Sequence, residues 1–398
     1  MTQDSLFVKG KLLGQTKAGY LTVSGGRIQS IDSEPSAAAM NWIGSATSWV
    51  LPAFFDIQVN GFSGVDFNSG DLVSEQLEQS VAALRRKGVL FFFATVITHS
   101  EQYQSACLRS IDKAIRASQL GRAVAGIHLE GPFISPQDGP RGAHPAEHVR
   151  PPNFDEFQRL QESAGGRIRL VTVAPEWDGA ISLIERLVKG GIVVAIGHTA
   201  ANRSQIEAAA SAGALCSTHL GNGSHALLPR HENYIWEQLA DDRLWASFIV
   251  DGHHLPPAVV KSFIRAKGVE RSILTSDAIA AAGMPPGCYR LGDVEVTVSP
   301  SYRVERTDQA GSGYLAGSAL DLARGVENAC RFAGVTLAQA VQMASTNPAR
   351  LMGCLDKVGT LVPGQEANLL VVEWEDQSCA MTLKHVVSAG DVVYSNFS

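Results

Sequence analysis

Residues 192–220 read IVVAIGHTAANRSQIEAAASAGALCSTHL. Two short apolar runs, Ile192 to Ile196 and Ala214 to Ser217, flank an amphipathic segment from Ser204 to Ala212. That order is a strand, a helix and the next strand, the step from which parallel sheets are built. Each run is followed by a histidine, in Gly197-His198-Thr199 and in Thr218-His219. The same rhythm extends in both directions. Upstream lie the runs Phe54 to Val59, Val89 to Ile97, Ala123 to Leu129 and Ile168 to Val173; downstream lie Ala246 to Val250 and Ser272 to Thr275. Helical segments fill the gaps at Leu72 to Lys87, Gln102 to Ser118, Ile181 to Lys189 and Ala258 to Ala266. Eight alternations predict an α/β fold, a closed (β/α)₈ barrel of the TIM type.

The ends have another texture. Short β-like segments (Ser5 to Gly10, Tyr20 to Val23, Arg27 to Ile31) precede the barrel, and GTLVPGQEANLLVVEW from Gly359, then VVSAGDVVY, follow it. They predict a small β-sandwich domain made of residues 1–50 and 356–398, around a barrel of residues 51–355. The tract Gly283 to Tyr314 breaks the rhythm after the eighth run and predicts a β insertion around 283–314 at the barrel mouth. A length of 398 residues suits a barrel plus one companion.

Bulk properties exclude several classes. A net charge of −6 without a basic stripe argues against nucleic acid, and no apolar run approaches the ~20 residues of a membrane helix. The six cysteines are scattered with no CxxC pair, and MTQDSLFVKG lacks the apolar core of a signal peptide, so a cytoplasmic setting is expected.

Catalytic groups of such barrels collect at the C-terminal ends of the strands. Glu130 ends the third run, His198 and His219 follow the fifth and sixth, and Asp277 follows the eighth. One carboxylate and two imidazoles are three protein ligands with a fourth position open, the pattern of a catalytic rather than a structural metal site. Taken singly, a buried glutamate can be an ion-pair partner, a histidine can close a turn and Asp277 can cap a helix; the joint placement favours a metal. One divalent ion per subunit is expected, Zn²⁺ by default, with Fe²⁺, Co²⁺ or Mn²⁺ suited to the same ligands. Asp277 is the candidate acid/base, taking a proton from water and returning it to a leaving nitrogen.

LPAFFDIQVNGFSGVDFN (Leu51 to Asn68), GIHLEGPF (Gly126 to Phe133), GHT, THLGN (Thr218 to Asn222), VDGHH (Val250 to His254), TSDA (Thr275 to Ala278) and LAGSAL (Leu315 to Leu320) together resemble the N-acetylglucosamine-6-phosphate deacetylase family of amidohydrolases. The resemblance implies the same metal ligands and the same acid/base. It further implies that His144, in GAHPAE beside Ala143, polarises the acetamide carbonyl, and that Asn222 and Gly223 contact the sugar-phosphate region. It places His254 on the sugar and Leu315, Ala316 and Gly317 along the pocket. Arg230 would reach the phosphate in the neighbouring subunit's site, which makes the functional unit a homodimer acting on a small phosphorylated amino sugar. Rival readings are another N-acyl amino sugar such as N-acetylgalactosamine 6-phosphate, an N-acyl amino acid, or a non-catalytic oligomeric scaffold.

Two departures stand out. Many amidohydrolases have His-x-His at the end of the first barrel strand; here the stretch is Asp56-Ile57-Gln58-Val59-Asn60, which predicts a single metal. Downstream of Arg230 the usual Gly-rich turn gives way to RHENYIWEQLADDRLW, whose Tyr234, Trp236 and Trp245 belong to the core, to an interface or to a reshaped sugar pocket.

Overall fold

The computed structural model describes residues 5–15, 17–36, 41–309 and 315–396. Eight parallel strands, Phe54–Val59, Val89–Ile97, Val124–Glu130, Ile168–Val173, Val193–Ile196, Cys216–Ser217, Trp245–Ile249 and Ser272–Thr275, are hydrogen-bonded to one another in chain order. All six residues of the first strand are buried, as parallel strands covered on both faces must be. Polar residues close the ring. The Asp277 amide donates to the Gln58 carbonyl at 3.0 Å and the Asn60 amide to the Ala278 carbonyl at 2.7 Å. Just below, the buried Asp56 carboxylate accepts from Thr275 Oγ1 at 2.7 Å and from the Ser276 amide, pinning the first strand to the eighth.

Side chains from the linking segments set the helix ends. In the stretch quoted first, Asn202 accepts from the Gln205 amide at 3.0 Å while the Gln205 side chain accepts from the Asn202 amide at 2.8 Å, a reciprocal cap for the helix Arg203–Ser211. Ile206, Ala209 and Ala210 are its buried face. Helices not expected from the sequence include Phe154–Ser163, Leu322–Ala333, Leu337–Val341, Asn347–Leu351 and, in the atypical segment, Tyr234–Ala240. The helix Tyr234–Ala240 begins where Asn233 Oδ1 accepts from the amides of Ile235 and Trp236.

The two ends of the chain share one seven-stranded sheet, in which Ile43–Pro52 lies between Leu6–Leu12 and Leu369–Glu375. Leu369 and Val371 join Val8, Leu21 and Ile28 in a core of their own, whereas Leu370 and Val372 belong to the barrel's core. The two-residue period of a strand thus gives the sheet two apolar faces.

After the eighth strand, Gly287–Leu291, Val294–Val298 and Val304–Arg306 form a three-stranded antiparallel sheet. Residues 310–314 of the expected insertion lie outside the described residues. Leu291, Val296, Val298 and Val304 pack on Ile279, Ala281 and Ala316, and the Gly292 amide donates to Asp66 Oδ2 at 2.7 Å. The small sheet therefore roofs the C-terminal mouth of the barrel. Among the described residues no helix is long and apolar enough to cross a membrane.

Candidate active site

A cavity of about 630 Å³ opens at that mouth. Glu130 is the last residue of the third strand; His198, His219 and Asp277 come just after the fifth, sixth and eighth. Those three have left-handed backbones, with φ of 49°, 27° and 52°. Left-handed backbone costs a residue with a Cβ about 1–2 kcal/mol, and such residues gather where side chains must be aimed for function. Here it turns all three onto the cavity that Glu130 also lines.

Glu130 Oε1 is the hub. His219 Nε2 lies 2.9 Å from it, His198 Nε2 3.3 Å and the Gln58 side-chain amide nitrogen 2.9 Å. His144 Nε2 is 3.3 Å from His198 Nε2. His198 Nδ1 donates to the Pro140 carbonyl at 2.8 Å, which fixes the tautomer and leaves Nε2 with a lone pair. A bare imidazole nitrogen facing a carboxylate oxygen is repulsive unless a cation or a proton sits between them. Ligands about 2.0–2.2 Å from one ion are themselves roughly 3–3.5 Å apart, so this donor set fits a divalent metal. Asn60 Oδ1 and the Nδ1 atoms of His144 and His219, all buried, find no partner among the described residues.

Mutual proximity alone selects Glu130, His144 and His198, whose donor atoms lie within 4.8 Å of one another. We favour His219 over His144 as the third ligand, because His219 contacts the Glu130 oxygen directly while His144 reaches only His198. Electrostatics agree. Burial would raise Glu130, yet its contacts with His198 and His219 hold it well below the usual carboxylate range. Burial would lower His219, but its bond to Glu130 raises it instead. Burial and the neighbouring His198 push His144 down to about 3, so it is a neutral imidazole.

Asp277 Oδ1 accepts from Asn60 Nδ2 at 2.7 Å and from Gln58 Nε2 at 3.0 Å. The two amides that stand where His-x-His is common thus act as donors, and Gln58 joins both carboxylates. Burial and the charge of Glu130 lift Asp277 to about 7.

The other side chains named from the sequence divide cleanly. Ala143, Asn222, Gly223, His254, Leu315, Ala316 and Gly317 all line the cavity. Asn222 Nδ2 donates to the His219 carbonyl at 3.0 Å, and His254 Nδ1 pairs with Asp251 at 2.7 Å. Gly223 has φ 55°, and a Cβ there would stand 2.5 Å from His198 Nδ1, so the chain passes the ring only as glycine. Arg230 is exposed and not among the residues lining the cavity of its own chain. Nor are Tyr234, Trp236 and Trp245; Tyr234 and Trp245 are buried in the core and Trp236 is half exposed.

Residues 49–393 match the amidohydrolase family model. The chain belongs to the amidohydrolase family. This amidohydrolase is 34% identical over 366 residues to the N-acetylglucosamine-6-phosphate deacetylase of Bacillus subtilis (strain 168), covering 89% of each chain. It is 36% identical over 324 residues to the N-acetylgalactosamine-6-phosphate deacetylase of Escherichia coli O157:H7, covering 81% of this chain and 83% of that one. The N-acetyl-D-glucosamine-6-phosphate deacetylase of Mycobacterium smegmatis, solved as a mutant in complex with N-acetyl-D-glucosamine-6-phosphate, superposes with a TM-score of 0.87 at 30% identity over 98% of this chain and 100% of that one. The family is metal-dependent, and the Glu130 cluster could hold the ion.

Several features of the amidohydrolase cavity were missed in the sequence. Gly139 and Gly142 line it ahead of His144; the clustered glycines and prolines of the segment 139–145 were the signal available. His253 and Arg303 line it as well, and for Arg303, in the roof, the sequence carries no signal.

Proposed function

We propose that the chain hydrolyses N-acetyl-D-glucosamine 6-phosphate to D-glucosamine 6-phosphate and acetate, a step of amino-sugar catabolism. The observation that carries the proposal is a held carboxylate, Asp277, facing the Glu130, His198 and His219 donor set inside one cavity. The printed activities of the relatives support the substrate class. N-Acetylgalactosamine 6-phosphate is the second reading, favoured by the relative from Escherichia coli O157:H7.

Glu130, His198 and His219 would hold one divalent cation, zinc in the first instance, which supplies Lewis acidity toward water and the acetamide carbonyl. Two amide donors occupy Asp277 Oδ1, so Oδ2 is the oxygen left to take a proton from the attacking water. His144, neutral, donates from Nε2 to the acetamide oxygen as negative charge grows there, a contribution of ~3 kcal/mol for one such donor. Asp277 then hands its proton to the nitrogen, the C–N bond breaks, and acetate leaves. The cavity-lining residues Ala143, Asn222, Gly223, His254 and Leu315 to Gly317 bind the sugar phosphate. A cytoplasmic homodimer in which the exposed Arg230 reaches the neighbouring cavity completes the proposal, as does the division into a terminal β unit (1–50 and 356–398) and a barrel (51–355).

The test is acetate release from the two sugar phosphates and from unphosphorylated N-acetylglucosamine. The glucosamine phosphate is expected to exceed the unphosphorylated sugar in kcat/KM by about a hundredfold or more, the worth of a charge-assisted contact. No release from either phosphate would overturn the proposal.

A further inference from the structure

We infer that Arg303 is the residue through which a subunit's own chain binds the phosphate of its substrate. The inference rests on the sugar-phosphate reading above and names a specificity residue for it.

A phosphate monoester carries nearly two negative charges, and a site that selects it needs fixed cations. Among the described residues, Arg303 is the one lysine or arginine that lines the cavity. Arg230 stands elsewhere on the surface, so the described residues of a single subunit offer no other permanent cation from the cavity wall.

Arg303 is held rather than loose. It ends a turn in the roof, where the Ser299 amide donates to the Arg303 carbonyl at 2.9 Å and the Arg303 amide donates to Ser299 Oγ at 3.1 Å. His253 Nε2 lies 2.9 Å from the Ser301 carbonyl, which fastens this turn to the loop that also carries His254. Roof and barrel thereby bring Arg303 and His254 to the same cavity from different elements.

The guanidinium is oriented as well. Its Nε donates to Glu305 Oε1 at 2.7 Å, while Nη1 and Nη2 make no hydrogen bond among the described residues. The pair of nitrogens left over matches two phosphate oxygens, the fork geometry in which arginine surpasses lysine. Its side chain is 34% exposed, as suits a group at the mouth that meets the ligand end farthest from the chemistry.

The test uses the metal-loaded enzyme with Arg303→Met and Arg303→Lys, on N-acetylglucosamine 6-phosphate and on N-acetylglucosamine. Arg303→Met is expected to lower kcat/KM for the phosphorylated sugar about 10- to 100-fold, mostly through KM, and to leave the unphosphorylated sugar unchanged. Lysine should restore part of the loss, since it keeps the charge and forfeits the fork. Equal losses on both substrates would reveal a merely structural ion pair with Glu305 and overturn the inference, as would an unchanged preference for the phosphate. If the unaltered enzyme turned over neither sugar phosphate, the functional reading itself would fall, and the inference with it.

Discussion

Asp277→Asn is expected to lower turnover roughly 10³- to 10⁴-fold while leaving about one divalent ion bound per chain. The substitution is close to isosteric, and the retained side-chain oxygen can go on accepting from Asn60 and Gln58. What it removes is the one oxygen free to carry a proton from water to the departing nitrogen, so both halves of the reaction lose their carrier. Stability should hold, because a neutral amide is easier to bury than a carboxylate that burial lifts to about 7. For the unaltered enzyme, a base must be ionised to act, so activity should decline as pH falls through the Asp277 pKa. A bound cation would shift that limb below the value of about 7 that the side chains alone produce. Acetate release and metal content, measured on the same preparation, decide the matter; an active Asp277→Asn enzyme would place the acid/base elsewhere.

Glu130→Gln should behave differently, losing metal and turnover together. The Glu130 oxygen is the one atom approached by both His198 and His219, and it is the only negative charge of the ligand set. An amide there loses that charge and can turn its NH₂ toward the two imidazoles. Altering a group that only supports a metal ligand typically weakens binding 10- to 100-fold, so loss of a charged ligand should cost on the order of a thousandfold or more. The readout is metal per chain after dialysis, with circular dichroism to confirm the fold. Full retention of tightly bound metal by the variant would contradict the assignment of Glu130 as a ligand.

The barrel was legible because each strand is an apolar run cut off by a polar residue, as at Ile196 before Gly197-His198 or Thr275 before Ser276-Asp277. Glu130, His198, His219 and Asp277 could be picked for the same reason: a barrel delivers strand ends to one mouth whatever the sequence between them. The left-handed backbones of His198, His219 and Asp277 could not be read, since neither histidine nor aspartate announces positive φ. The helix Tyr234–Ala240 is too short for a helical period to show, and its start depends on a cap by Asn233 that any loop asparagine could imitate. Gln58 and Asn60 were visible as a departure, but their role as donors to Asp277 appears only when the first strand closes on the eighth. Arg303 was illegible because its approach to the cavity depends on how the roof docks, through contacts such as Gly292 to Asp66 that span 226 residues. His144 came from resemblance alone, and the fold sets it 3.3 Å from His198.

On the proposed mechanism, one metal at the Glu130 cluster is enough for hydrolysis. Metal-stripped enzyme should therefore be titrated with Zn²⁺ while acetate release from N-acetylglucosamine 6-phosphate is followed. Negligible release is expected without metal, followed by a linear rise that levels off at one ion per chain. A plateau at two ions, or undiminished release from the metal-free protein, would contradict that mechanism.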